Sequence, residues 1–171
     1  MKERPGLVTL KGNPMILLGN EIKAGEPAPD CTLTTNDLSE VKLSSFKGKT
    51  CIISAVPSLD TPICDLQTKR FNQEAAQLGD DVIILTVSMD LPFAQKRWCG
   101  ATGCDKVKTL SDYRYASFGE AFGVLIKGLR LLARSVFVLD KDGKVQYIQL
   151  VKEVATEPNY DEVLAAVKKL P

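Results

Sequence analysis

A chain of 171 residues, 44% hydrophobic and 25% charged, is long enough to bury a core as one domain over residues 1–171 without disulfide staples. Its 22 basic and 21 acidic side chains leave a formal charge of +1, which offers no field to draw in nucleic acid or an anionic membrane. No apolar run approaches the ~18 residues of a membrane span, and the N-terminus lacks a secretion signal, so a cytoplasmic protein with reduced cysteines is expected.

Two short apolar runs around Lys11, Gly12, Asn13 and Pro14 predict a β-hairpin over about 7–18. A proline-punctuated loop, Gly25 to Asp30, precedes a second predicted hairpin between Cys31 and Leu43. From Thr50 the pattern alternates. Thr50 to Val56 (TCIISAV) is apolar on both faces, as a central strand should be. A helix follows over Pro62 to Leu78, with Cys64, Phe71, Ala75 and Leu78 on one face. Next come a buried strand (Val82 to Ser88), a short helix from Pro92 to Cys99, a short strand (Val107 to Leu110) and a helix over Tyr115 to Phe122. Strands Ser135 to Asp140 and Val145 to Val151 flank a turn with Asp142 and Gly143 at its centre, and an amphipathic helix closes the chain over Tyr160 to Leu170. This order is the layout of a thioredoxin-like α/β fold, a central mixed sheet flanked by helices, with the N-terminal hairpin added.

Histidine is absent, which removes every Cys-His or Ser-His-Asp nucleophile and every mixed Cys/His zinc site. Five cysteines in a reducing compartment point to catalysis or metal binding rather than structural bridges. The stretch Pro57 to Cys64 (PSLDTPIC) sets one of them at a helix entrance: Pro62 suits the first helical position and Thr61 the N-cap, so Cys64 falls at the third. Free backbone N–H groups and the positive end of the helix dipole favour an anion there, and the Thr61 hydroxyl lies within reach of it. Asp65 next door opposes the effect weakly, and a nearby guanidinium would strengthen it. The plain alternative is a cysteine packed as a small core hydrophobe. That alternative dominates for Cys51 and Cys31, while for Cys64 position alone leaves the two readings balanced.

The PSLDTPIC stretch resembles the peroxiredoxin signature Pro-x-x-x-Thr/Ser-x-x-Cys through Pro57, Thr61 and Cys64. Ser88 to Cys99 (SMDLPFAQKRWC) is similar to the segment Asp-Leu-Pro-Phe-Ala-Gln-x-Arg-Phe-Cys of bacterial thiol peroxidases, the atypical two-cysteine branch of the peroxiredoxins. Leu132 to Asp140 (LARSVFVLD) resembles the segment that carries the family's active-site arginine, and the likeness extends over nearly the whole chain. The resemblance implies that Cys64 is the peroxidatic cysteine, Cys99 the resolving cysteine, Thr61 the hydroxyl that orients thiolate and peroxide, Arg134 the cation that stabilises both, and Pro57 the shield of the pocket. It implies hydrogen peroxide and alkyl hydroperoxides as substrates, a Cys64–Cys99 redox disulfide within one chain, thioredoxin as reductant and a homodimer. No metal, flavin or haem is demanded by such chemistry, and neither nucleic acid nor a membrane is an expected partner. The chain departs from the family in having Trp98 where phenylalanine is commoner and in carrying Cys31, Cys51 and Cys104 besides the pair. Cys104 competes with Cys99 for the resolving role, and Arg130 competes with Arg134 as the cation.

Readings from other classes are a thioredoxin-fold scaffold with inert cysteines, a metal-binding sensor, and a thiol-disulfide oxidoreductase. The spacing Cys99-x4-Cys104 is too loose for a zinc knuckle, and the chain has no C-x-x-C for the oxidoreductase.

Overall fold

The computed structural model describes residues 1–171. In chain order the strands are β1 (Glu3–Leu10), β2 (Asn13–Leu18), β3 (Thr32–Thr34), β4 (Glu40–Lys42), β5 (Thr50–Ala55), β6 (Val82–Ser88), β7 (Val107–Ser111), β8 (Leu125–Ile126), β9 (Ser135–Leu139) and β10 (Val145–Leu150). The helices are α1 (Pro62–Leu78), α2 (Pro92–Thr102), α3 (Ser117–Ala121) and α4 (Tyr160–Lys168), and a 3-10 turn covers Leu43–Phe46.

Seven strands form the main sheet, in the order β10-β9-β5-β6-β7-β3-β4. β5, β6 and β7 are parallel, joined by α1 and α2, and β9 runs antiparallel on the other flank of β5. Every residue of β5 is buried, as its run of Ile, Cys and Ala on both faces requires. The expected hairpins are all present: β1–β2 around Lys11 and Gly12, β3–β4, and β9–β10 across Asp142 and Gly143.

Three local features depart from the sequence expectation. β1 begins at Glu3 rather than near residue 7, and its register with β2 shifts between Arg4 and Val8, where Gly6 (φ 78°) takes a backbone conformation that a side chain would strain. The added N-terminal hairpin is present, and the two-residue β8, which the sequence does not announce, pairs with β2 to complete a separate three-stranded sheet. Finally, α3 is only Ser117–Ala121. Its start is set by the buried Asp112, whose two carboxylate oxygens accept from the N–H groups of Phe118 and Gly119 at 2.9 and 2.8 Å.

The pleat divides the core in two. Ile53 and Ala55 of β5, Leu85 and Val87 of β6, and Phe137 and Leu139 of β9 face the side covered by the N-terminal sheet and α3. Ile52, Ile84, Val136 and Val138 face the other side, where Phe71 of α1, Trp98 of α2, and Val163 and Val167 of α4 close over them. Burying each large side chain of these layers contributes on the order of 1.5–3 kcal/mol before entropy is counted. Cys31 and Cys51 belong to the first core, and Cys64 and Cys104 to the second.

The fold brings one end of the sheet to the chemistry. The carboxyl ends of β5 and β6 lie side by side through Ala55 and Val87, and the first residue of the antiparallel β9, Ser135, pairs with Ala55. The loop after β5, the loop after β6 and Arg134 just before β9 therefore converge at one edge, the usual place for a site in an open α/β sheet.

Candidate active site

Cys64 lies at the third position of α1 with Pro62 at its start, as the sequence predicts, and its thiol is fully buried. The loop from buried Pro57 to Thr61 that feeds this helix is fastened to Asp90 beyond β6: Asp90 accepts from Ser58 Oγ at 2.7 Å, from the Leu59 N–H at 2.8 Å and from Ser88 Oγ at 2.7 Å. Gln95 of α2, also buried, donates to Ser88 Oγ and to the Leu110 carbonyl, both at 3.0 Å, and so ties the α2 start to the same cluster.

Thr61 occupies the N-cap, but its hydroxyl makes no capping bond; it donates to the Ser58 carbonyl at 3.0 Å. The expected contact between Thr61 and Cys64 is not made in this state. The loop holds the hydroxyl turned back on itself.

Arg134 is the cation that reaches the thiol. Its guanidinium is 2% exposed, and Nη2 donates to Cys64 Sγ at 3.3 Å. Nη1 donates to Gln67 Oε1 at 2.7 Å and Nε to the Val154 carbonyl at 2.8 Å. Gln67 is itself fixed, its amide donating to Ser54 Oγ of β5 at 2.6 Å. Arg130 is exposed and has a left-handed backbone (φ 57°); it does not touch the thiol. No carboxylate is paired with Arg134. Sequence reasoning missed Gln67, although a polar residue one turn from Cys64 on the apolar face of α1 was a readable signal that something polar lay inside.

The concern about Asp65 is resolved by α2. Trp98 Nε1 donates to Asp65 Oδ1 at 2.8 Å, and Lys69 pairs with Asp65 Oδ2 at the same distance. Both oxygens are thus drawn away from the thiol, and the indole supplies a bond that phenylalanine at position 98 could not. A cleft of about 310 Å³ lies between the two helices, lined by Thr61, Pro62, Asp65, Trp98 and Thr102 among others.

Cys99 sits in the last turns of α2, half-buried, with Sγ 3.6 Å from Thr109 Oγ1 of β7. It packs against the same core that buries Cys64, and all five cysteines are free thiols. Burial pushes the Cys99 thiol up, only partly countered by the Thr109 hydroxyl. Burial likewise raises Cys31 to about 12 and Cys51 to about 11, so those two are protonated, inert core residues, as the sequence suggested.

Comparison with known proteins accords with this geometry. Residues 23–164 match the Redoxin family. The chain is similar to the thiol peroxidase of Bacillus subtilis (strain 168), at 60% identity over 95% of this chain and 97% of that one. It is also similar to the thiol peroxidase of Halalkalibacterium halodurans, at 55% identity over 94% and 96% of the two chains. Among solved structures, a peroxiredoxin-like protein from Aquifex aeolicus superposes with a TM-score of 0.89 at 47% identity, covering 96% of this chain and 98% of that one. A model match over most of the chain, and relatives above half identity along nearly its whole length, place the chain in the Redoxin family, among its thiol peroxidases.

Proposed function

We propose that this thiol-dependent peroxidase works through Cys64 as the attacking thiolate and Cys99 as the thiol that resolves it. The observation that carries the reading is the environment of Arg134. A guanidinium that is 2% exposed and has no carboxylate partner is a costly group, and the atom facing it is Cys64 Sγ at 3.3 Å. A thiolate there completes the missing ion pair, and no histidine is required.

The Cys64 thiolate attacks one oxygen of the hydroperoxide in line, the O–O bond breaks, and hydroxide or alkoxide leaves while Cys64 becomes a sulfenic acid. Negative charge grows on both oxygens in the transition state. A guanidinium already fixed by Gln67 and Val154 stabilises that charge without reorganising, and Thr61 adds a second donor once its hydroxyl swings from the Ser58 carbonyl. Pro57, buried beside the thiol's loop, keeps water from the sulfur. Cys99 then attacks the sulfenic sulfur and releases water, leaving a Cys64–Cys99 disulfide.

An external dithiol of the thioredoxin type reduces that disulfide, since the chain has no C-x-x-C of its own. Hydrogen peroxide and alkyl hydroperoxides are the substrates. The chain works as one domain in the cytoplasm and as a homodimer; Leu91 and Phe93, left exposed at the start of α2, support a surface covered by a second copy.

A thioredoxin-coupled peroxide assay tests the assignment. Cys64→Ser is expected to abolish turnover, and Cys99→Ser to permit one round of peroxide reduction but no recycling by thioredoxin. Sustained thioredoxin-driven turnover in Cys99→Ser would overturn the pairing.

A further inference from the structure

Beyond Cys64 and Cys99, one more cysteine lines a cleft that Cys99 borders. Cys99 and Cys104 both line a cleft of about 560 Å³, together with Asn36, Asp105, Lys108 and Thr109. They flank the C-terminus of α2, where Gly103 takes a left-handed conformation (φ 68°) and its N–H bonds back to the Cys99 carbonyl at 3.0 Å. A cap of this kind folds the chain over the helix end, bringing a residue just past it towards the last turn. Gly103 meets no neighbouring atoms at its side-chain position, so the turn has room to shift.

Cys104 belongs to the core that buries Cys64, and Cys99 packs against that same core, so both sulfurs of the cleft border the packing around the Cys64 helix.

We propose that Cys104 is a further redox residue of the reaction, which takes the disulfide over from Cys64 and moves it to a Cys99–Cys104 pair in the cleft. This rests on the peroxidase reading of Cys64 and Cys99. The step is a thiol–disulfide exchange: the Cys104 thiolate attacks Cys99 Sγ, the Cys99–Cys104 bond forms, and the Cys64–Cys99 bond breaks with its electron pair going to Cys64. The proton lost by Cys104 passes to solvent, and no oxidant or reductant is consumed. Direction follows from the leaving group, because the sulfur whose charge is better stabilised departs more readily and only Cys64 returns to a guanidinium. Exchange lets α1 re-form around a reduced Cys64. The remaining disulfide lies in an open cleft, where the thiolate of a reducing dithiol can enter.

Peptide mapping of the wild-type protein tests this without relying on any variant. Reduced protein is treated with one equivalent of hydrogen peroxide in the absence of reductant, then with a second equivalent plus dimedone, quenched in acid, alkylated and digested with trypsin. Cleavage after Arg97 and Lys106 leaves Cys99 and Cys104 in one peptide, so their disulfide appears as that peptide lighter by two hydrogens and resistant to alkylation. Intact mass before digestion is expected to show chains carrying both one disulfide and one dimedone adduct, the digest to place these on Cys99–Cys104 and Cys64, and Cys104→Ser to lose the doubly modified chain. A stable Cys64–Cys99 disulfide with Cys104 alkylated throughout would overturn the relay and leave the peroxidase reading standing. No oxidation of Cys64 at all would overturn both.

Discussion

All three nitrogens of the Arg134 guanidinium have fixed partners: the Val154 carbonyl, the Gln67 amide oxygen and the Cys64 sulfur. Lysine could not serve all three, because an ammonium lacks the planar fork that holds one nitrogen on sulfur while the others stay anchored. The contrast with Cys31 and Cys51 is chemical rather than positional. All three thiols are buried, but only Cys64 accepts a bond from a guanidinium; burial drives Cys51 towards the protonated form, and burial together with the Asp112 and Asp30 charges does the same for Cys31. Asp112 makes the same point for a carboxylate. Burial pushes it up to about 6 from 3.8, despite the two backbone N–H groups it accepts from. The folded chain therefore holds a proton there that the unfolded chain has released, so this group's contribution to stability is complete below about 3.8 and lost as pH rises through about 6. Chemical denaturation of wild type and Asp112→Asn should show the wild type losing stability relative to the variant between about pH 4 and pH 7. A stability difference independent of pH would contradict the assignment.

At the scale of elements, the first turn of α1 faces two demands. In the proposed mechanism it holds Cys64 against Arg134 for attack and then releases Cys64 to meet Cys99, since a disulfide needs Cα atoms about 4.4–6.8 Å apart. The structure equips the turn for release. Thr61 makes no capping bond, and Thr68 bonds back to the Cys64 carbonyl at 2.8 Å, a contact that tends to weaken a helix. Hydrogen exchange at Cys64 to Thr68 and at Trp98 to Gly103 is expected to be faster in the disulfide form than in the reduced form. Equal protection in both states would mean that the disulfide forms without local unwinding. The start of α1 was legible because Thr61 and Pro62 are local signals of a helix entrance. The start of α3 was not, because it depends on a carboxylate supplied from the end of β7, and β8 was missed because a two-residue strand has no period of its own.

At the scale of the whole molecule, the sheet sorts the cysteines. Alternation along β5 sends Cys51 to the core under the N-terminal sheet, while the crossover through α1 sets Cys64 on the opposite face beside α2. The alternation of buried strands and amphipathic helices made this layering readable from the chain, and the resemblance pointed to Pro57, Thr61, Cys64, Cys99 and Arg134. The supports were less readable: Gln67, Ser54 and Asp90 act through contacts between residues distant in sequence, which no local pattern encodes. Everything in the account depends on the pairing of Cys64 with Arg134. The measurement that tests it most directly is the rate at which Cys99→Ser protein gains sulfenic acid on Cys64 under hydrogen peroxide, with Arg134 intact and with Arg134→Met in the same background. Methionine fills much of the buried volume without charge, so the fold should survive. The account predicts a fall on the order of 10²-fold or more, the usual cost of removing a preorganised donor to transition-state charge. An unchanged rate in a folded Arg134→Met protein would contradict it.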